Sequence, residues 1–409
     1  MASEVHRLNA DGAELPGWPV ELGGSASLIM DGGWLFVSEC PVAPSTDPCR
    51  LHRFRQDGTE EAGWPVRTMQ HCYGGVIAWD GAVVLQCGQG EVAQLIAIDR
   101  AAHLVAGWPV LVDNLREIGQ APGGSLYLLS APPGGGLLID VRGPDGRSRD
   151  GWPVELPNAG DRYGASGVLP DPAGFLVAWW MDGIVDGICL EADRTVLSRL
   201  GPSGTAAPGW PVTINGFGTR PVVASNGGIW MRMDGPRSMV VGLDSHGENL
   251  DGWPVDLPAD ACAGADGSAA AHLVSDGRLV VVQDNILHVF EPDGAASPGW
   301  PLVLGGAAAN GCYPSQCAPG SNQVIEPVVG ANGLMYMVLF RGSDAELVAR
   351  LEAFDRDARS VVGWPLELPR LECFPANYCP FPAPQVYDVR LTPDGRPVVI
   401  AWEGIFWVR

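Results

Sequence analysis

The stretch Leu287–Val303, LHVFEPDGAASPGWPLV, decides the fold. Leu287 to Phe290 is an apolar run of strand character, Pro292-Asp293-Gly294 is turn chemistry, and Trp300-Pro301-Leu302 opens a second strand. The same order recurs in Leu51 to Gly58 (LHRFRQDG) before Trp64, and in Val241 to Gly247 (VGLDSHG) before Trp253. Gly-Trp-Pro itself occurs eight times, with Trp18, Trp64, Trp108, Trp152, Trp210, Trp253, Trp300 and Trp364, and the following residue is always Val or Leu. Successive tryptophans are 46, 44, 44, 58, 43, 47 and 64 residues apart, within or near the period of a four-stranded propeller blade.

Upstream of each such unit lie two further strand patterns. In the sixth they are Ala269 to Ser275 and Arg278 to Gln283, joined at Asp276-Gly277; in the eighth they are Gln385 to Thr392 and Arg396 to Trp402, joined at Asp394-Gly395. Asp31-Gly32, Asp80-Gly81, Asn226-Gly227 and Asn332-Gly333 mark the same hairpin elsewhere. Each unit reads as strands A, B, C and D, with tight A–B and C–D turns and variable B–C and D–A connections. The expected fold is all-β: a single eight-bladed β-propeller domain over residues 1–409. The last unit has a C strand at Gly404 to Arg409 but no Gly-Trp-Pro, and the first Gly-Trp-Pro has no A or B strand before it. An N-terminal D strand, Trp18 to Leu22, is therefore expected to join the C-terminal blade and close the ring, which removes two exposed edges. Val5 to Gly12 also resembles a C strand and could extend that blade. The eight tryptophans are expected as core, filling the gaps between neighbouring sheets.

The pattern of apolar strand, Asp-Gly, spacer and Gly-Trp-Pro-Val resembles the bacterial FG-GAP-like and PQQ-like repeat propellers over nearly the whole chain. It departs from both at their cofactor sites. The calcium loop of the FG-GAP group is reduced here to turns such as Asp276-Gly277, too poor in oxygens for six to eight ligands. The quinoproteins carry an adjacent-cysteine disulfide, and no two cysteines here are adjacent. No cofactor and no metal is expected.

Composition agrees with a folded all-β chain: 46% hydrophobic residues, 18% charged, 55 glycines and 36 prolines in 409 residues. The formal charge of −22 would repel phosphate backbones, so nucleic acid is not an expected partner. All 25 basic residues are arginines, which removes Schiff-base chemistry and the phosphate-loop lysine. No run of about 18 apolar residues spans a membrane.

The ten cysteines suggest disulfides and an oxidising compartment, since zinc spacings are absent. The expected pairs are Cys40–Cys49, Cys72–Cys87, Cys312–Cys317 and Cys373–Cys379, with Cys189 and Cys262 left over for a fifth. A secreted, periplasmic or cell-surface bacterial monomer is expected; Met1 to Glu4 is not hydrophobic, so the cysteines imply a leader that is removed or not included in this sequence.

The long insertions fall on the B–C and D–A side: Pro41 to Pro48, Met181 to Asp193, Pro258 to Gly267, Gly305 to Ser321 and Pro369 to Pro384. All ten cysteines lie in or beside that face, which makes it the expected binding face. Residues expected at its mouth are His71, Tyr73, Arg116, Glu117, Asp161, Arg162, Tyr163, Arg220, Glu326, Tyr387 and Asp388. The ends of the B strands, with Trp180, Asp182, Arg232, Asp284, Arg341 and Glu403, point to the same place. Arginines among carboxylates and tyrosines suit a sugar acid or a peptide terminus, so a carbohydrate or protein ligand is expected. The competing readings are a wet lining of self-paired charges and a lyase or hydrolase. The enzyme would use His71 or Tyr163 as base, or two of Asp161, Glu326 and Asp388 as an acid–base pair. No catalytic motif selects among these residues, and the reading leans away from an enzyme.

Overall fold

In the computed structural model, residues 3–5, 16–31, 34–41, 47–55, 57–69, 72–88, 91–133, 136–156, 163–186, 189–234, 237–258, 271–274, 276–283, 286–303, 327–330, 332–341, 348–367, 386–391, 397–401 and 404–407 are described. They are strands and turns, with two short 3₁₀ turns and no helix long and apolar enough to cross a membrane. An antiparallel pair comes first, β1 (Ser3–Val5) with β2 (Val20–Leu22). The first sheet is β3 (Ser25–Asp31), β4 (Trp34–Cys40), β5 (Arg50–Phe54) and β6 (Val66–Arg67). The second is β7 (Cys72–Ile77), β8 (Val83–Cys87), β9 (Val92–Ile98) and β10 (Val110–Asp113). The third is β11 (Leu115–Gln120), β12 (Leu126–Ser130), β13 (Leu138–Arg142) and β14 (Val154–Glu155). The fourth is β15 (Tyr163–Pro170), β16 (Leu176–Asp186), β17 (Cys189–Leu200) and β18 (Val212–Asn215).

In the fifth sheet the first strand is broken into β19 (Phe217–Gly218) and β20 (Val222–Val223), both paired to β21 (Ile229–Asp234), followed by β22 (Met239–Leu243) and β23 (Val255–Asp256). The break spans Pro221, which has no N–H to give to a ladder. The sixth is β24 (Ala271–Leu273), β25 (Leu279–Gln283), β26 (Ile286–Phe290) and β27 (Leu302–Val303). The seventh is β28 (Val328–Val329), β29 (Met335–Arg341), β30 (Val348–Phe354) and β31 (Leu366–Glu367), and three strands end the chain, β32 (Val386–Leu391), β33 (Pro397–Ala401) and β34 (Gly404–Trp407). All the ladders described are antiparallel meanders, as the A-to-D reading requires. Two compact units result, Met1–Trp180 with Leu197–Trp210, and Met181–Val196 with Pro211–Arg409.

Two local expectations change. Met181 to Asp193 is not simply a loop: β16 runs to Asp186 and β17 starts at Cys189, in a stretch whose β-branched Ile184 and Val185 favour strand. The A–B turns are longer than two residues in the later sheets. In the sixth, Gly277 N–H bonds the Val274 carbonyl while Val274 N–H bonds the Arg278 carbonyl, with Gly277 at φ +86°. This is a turn followed by a bulge whose last residue needs positive φ. Finally, among the described residues β2 has β1 as a ladder partner, with Glu4 opposite Glu21.

The repeat explains the packing. Trp18, Trp64, Trp108, Trp152, Trp210, Trp253 and Trp300 are buried and Trp364 is half-buried. Trp253 and Trp300 each sit where one sheet meets the next. Trp253 packs edge-on against Phe290 of the sixth sheet at 5.8 Å, and Trp300 against Phe354 of the seventh at 6.1 Å. The indole N–H makes the junction directional: Trp108 Nε1 donates to the Pro144 carbonyl at 2.9 Å, Trp253 to Pro292 at 3.1 Å and Trp300 to Arg356 at 3.1 Å. All three acceptors lie in the C–D turn of the following sheet. The Trp-Pro bond is cis in the motifs of Trp18, Trp64, Trp108, Trp152, Trp253, Trp300 and Trp364.

Candidate functional site

In the first two sheets, the ends that carry the B–C and D–A connections are cross-linked. Cys40, last in β4, is disulfide-bonded to Cys49, and Cys72, first in β7, to Cys87, last in β8. Cys72 and Cys87 face each other across the β7–β8 ladder, as their spacing about Asp80-Gly81 predicts. The two bridges are neighbours. Ser38 Oγ donates to the Cys72 carbonyl at 3.1 Å, and the Cys40 sulfur lies 3.3 Å from the same oxygen. All four cysteines share one core cluster with Phe36, Leu85 and Trp64. The other expected pairs involve Cys262, Cys312, Cys317, Cys373 and Cys379, outside the described residues, and Cys189, described only in its backbone.

Among the expected mouth residues, Arg116 and Glu117 lie together on β11. Arg116 is exposed and Glu117 half-buried. Glu117 uses both oxygens within the protein: Oε1 accepts the Tyr127 hydroxyl at 2.8 Å, and Oε2 accepts Val168 N–H of β15 at 3.1 Å. Tyr127 Oη also lies 3.2 Å from the Val168 carbonyl, so one Glu–Tyr pair occupies both polar groups of Val168. This closes the free edge of β15 at that point. No local pattern marks Tyr127, whose link to Val168 spans 41 residues. Nearby, Trp179 is buried with its Nε1 unpartnered, and a Cβ on Gly167 would stand 2.8 Å from that nitrogen.

Arg220 is exposed, between β19 and β20. The strand beside it is anchored by Thr195 Oγ1, which accepts Gly218 N–H at 2.7 Å and donates to the Gly216 carbonyl at 2.8 Å. Tyr73, Tyr163, Tyr387 and Asp388 stand on β7, β15 and β32 with only their backbone described; His71, Asp161, Arg162 and Glu326 lie outside the described residues.

Two expected mouth residues are buried instead. Trp180 and Arg232 are both fully enclosed. Arg232 Nη1 donates to the Val282 carbonyl of β25 at 2.6 Å, because its position on β21 faces the next sheet. His288 of β26 is held at a pKa of about 4, first by burial and then by the Arg232 charge, so it is neutral near pH 7. Its ring stacks on Phe290, centroids 6.0 Å apart, and it is a core residue.

At the opposite, tight-turn ends lie two open clefts. One of about 590 Å³ is lined by Asp145, Arg147, Arg149, Asp150 and Ser203, and one of about 430 Å³ by Gln120, Pro122, Pro170, Asp171 and Pro172. The only carboxylate of the second, Asp171, is already taken by Arg199, whose Nε and Nη2 lie 2.8 and 2.5 Å from Oδ2. No group of three or more potential metal ligands occurs among the described residues.

No family model matches the sequence, and no curated protein does. Solved structures do match in fold. A eukaryotic initiation factor structure is similar at 9% identity over 95% of this chain and 84% of that one, with a TM-score of 0.59. The Dos1 propeller is similar at 9% identity over 94% and 92%, with a TM-score of 0.53. A streptogramin B lyase matches at 14% identity over 82% and 91%, with a TM-score of 0.42. The successive four-stranded meanders and the likeness to the Dos1 propeller make the chain a β-propeller.

Proposed function

We propose that this protein is a non-catalytic, extracytoplasmic binding or scaffold propeller that takes a carbohydrate or protein ligand at the disulfide-bearing ends of its sheets. The observation that carries the reading is the pair of neighbouring disulfides, Cys40–Cys49 and Cys72–Cys87, at one end of adjacent sheets. Cross-links at the roots of variable loops reduce the entropy lost when those loops present a fixed surface. They also suit secretion into an oxidising compartment. The exposed guanidinium groups of Arg116 and Arg220 supply anchors for a carboxylate, sulfate or peptide terminus.

The proposal includes one eight-bladed ring of the FG-GAP-like or PQQ-like repeat type, acting as a monomer. Seven of its blades are the seven successive sheets, and the eighth combines β32, β33 and β34 with the N-terminal pair β1–β2. This arrangement is favoured because it leaves no unpaired blade edge at either chain end.

Glycan and peptide arrays probed with the intact chain test the binding face. Any ligand found should lose about 1–3 kcal/mol of affinity with Arg116→Ala or Arg220→Ala, and none with Arg147→Ala at the turn end. The reverse pattern overturns the face assignment. Turnover of a sugar substrate that stops when His71 or Tyr163 is replaced establishes the lyase or hydrolase reading instead.

A further inference from the structure

The outer strands of the sheets are their free edges, and most are protected by brevity and charge. β6, β14, β23 and β31 are two residues long and end in the exposed Arg67, Glu155, Asp256 and Glu367. Arg350–Glu367 and Arg237–Asp256 form ion pairs there. Such short charged edges discourage pairing with another chain. β27 is as short but ends in Val303, 64% exposed, and β10 departs from the pattern in length. It is four residues long, and its outward side chain is Leu111, 66% exposed. The other four-residue edge, β18, presents Thr213 and Asn215 instead.

The register of β10 leaves main-chain groups unused. Val110 pairs with Leu95 and Val112 with Ala93, and Asn114 N–H bonds the Glu91 carbonyl. In an antiparallel ladder the hydrogen-bonded pairs alternate, so Leu111 and Asp113 direct their N–H and C=O away from β9. Val92, 47% exposed, shares the face of Leu111 and Gln94. That face continues inward to the buried Ile96 and Ile98. An apolar strip lying beside an open pair of main-chain donors and acceptors matches the requirement for strand addition.

We propose that β10 is a docking edge for an extended, basic, alternately apolar segment of a partner protein, which pairs with Leu111 and Asp113 and lays an apolar side chain against Leu111. Charge selects this occupant over a second copy of the chain. The exposed Asp113 and Glu91 flank the strip, and the net charge of −22 opposes self-association. A basic segment gains from the same field.

The test is an anisotropy titration of the intact protein with a labelled Arg-Val octapeptide, (Arg-Val)₄. The expected result is saturable binding that weakens at least about tenfold with Leu111→Pro, with Asp113→Arg, and with a peptide N-methylated at alternate residues. Leu111→Pro removes an N–H that β9 does not use, so the sheet should survive; Leu111→Thr and the N-methylated peptide give the same reading without it. Glu367→Pro on β31 should leave binding unchanged. No saturable binding, or equal binding by Leu111→Pro and to the methylated peptide, overturns the proposal. So does a concentration-dependent dimer abolished by Leu111→Pro, which would make the occupant a second copy.

Discussion

Trp152 Nε1 donates to the carbonyl of Pro202 at 3.0 Å, joining the Gly-Trp-Pro motif of the third sheet to the C–D turn of the fourth. Trp64 breaks this pattern. Its buried Nε1 has no partner, and the matching carbonyl of the next turn, that of Arg100, instead accepts Arg53 Nη1 at 2.8 Å. Phenylalanine at either position loses the same ring volume but only one loses a hydrogen bond. Trp152→Phe should therefore cost about 1 kcal/mol more than Trp64→Phe in urea unfolding. Equal losses would remove the indole bond from the account of sheet-to-sheet cohesion.

The Arg199–Asp171 pair is almost wholly enclosed, with side-chain exposures of 4% and 0%. Asp171 Oδ1 also accepts Ala173 N–H at 2.7 Å, and the Arg199 guanidinium lies 4.3 Å from the Phe175 ring centroid. Asp171→Ala strands a buried cation and should cost about 3–5 kcal/mol. The double replacement Asp171→Leu with Arg199→Met should recover part of that loss, measured by the same unfolding curves.

His288 gives stability a pH dependence. Its pKa falls from 6.5 to about 4 on folding, so between those values the unfolded chain binds the extra proton. Stability from this residue is present above pH 6.5 and is lost as pH falls toward 4. His288→Val, which matches Val241 at the equivalent place in the fifth sheet, should flatten the melting temperature against pH in that window. An unchanged slope would assign the dependence to other groups.

Loss of the Cys72–Cys87 bridge, which encloses a separation of 15 residues, should cost about 3 kcal/mol. Non-reducing digestion with mass mapping should recover Cys40–Cys49 and Cys72–Cys87 as linked peptides. The same map tests the proposed pairs Cys312–Cys317, Cys373–Cys379 and Cys189–Cys262. Free thiols at these positions would count against the secreted assignment.

What could be read in advance depended on the distance over which each interaction acts. Asp-Gly turns, the period of Gly-Trp-Pro and the Cys72–Cys87 hairpin are local, and each stands where its spacing put it. The duties of Glu117 and Arg232 are not local. Their acceptors and donors, Val168 and Val282, sit about 50 residues away on another sheet. A charged residue near a strand end is therefore ambiguous in sequence: it can be exposed, as Arg220 is, or bind a neighbouring strand. The β10 edge is hidden in sequence for a related reason, since Leu111 stands in an apolar run and only its place on the outer strand exposes it.

At Gly17, Gly107, Gly151, Gly252 and Gly299 the glycine of the repeat lies against main chain: a Cβ on Gly151 would overlap the Ser203 carbonyl oxygen, and one on Gly252 the Asp293 carbonyl. In these repeats the turn offers that oxygen whatever its sequence, and Ser203 stands where Asp145, Asp293 and Asp357 stand in others; Gly63, whose Cβ would meet only the Ala102 side chain at 3.8 Å, is an exception. The fit between successive modules is thus generic. A duplicated or transplanted repeat would find a compatible neighbour on arrival, so lineages of this architecture can change their number of modules by unequal recombination without first evolving a matched pair of surfaces.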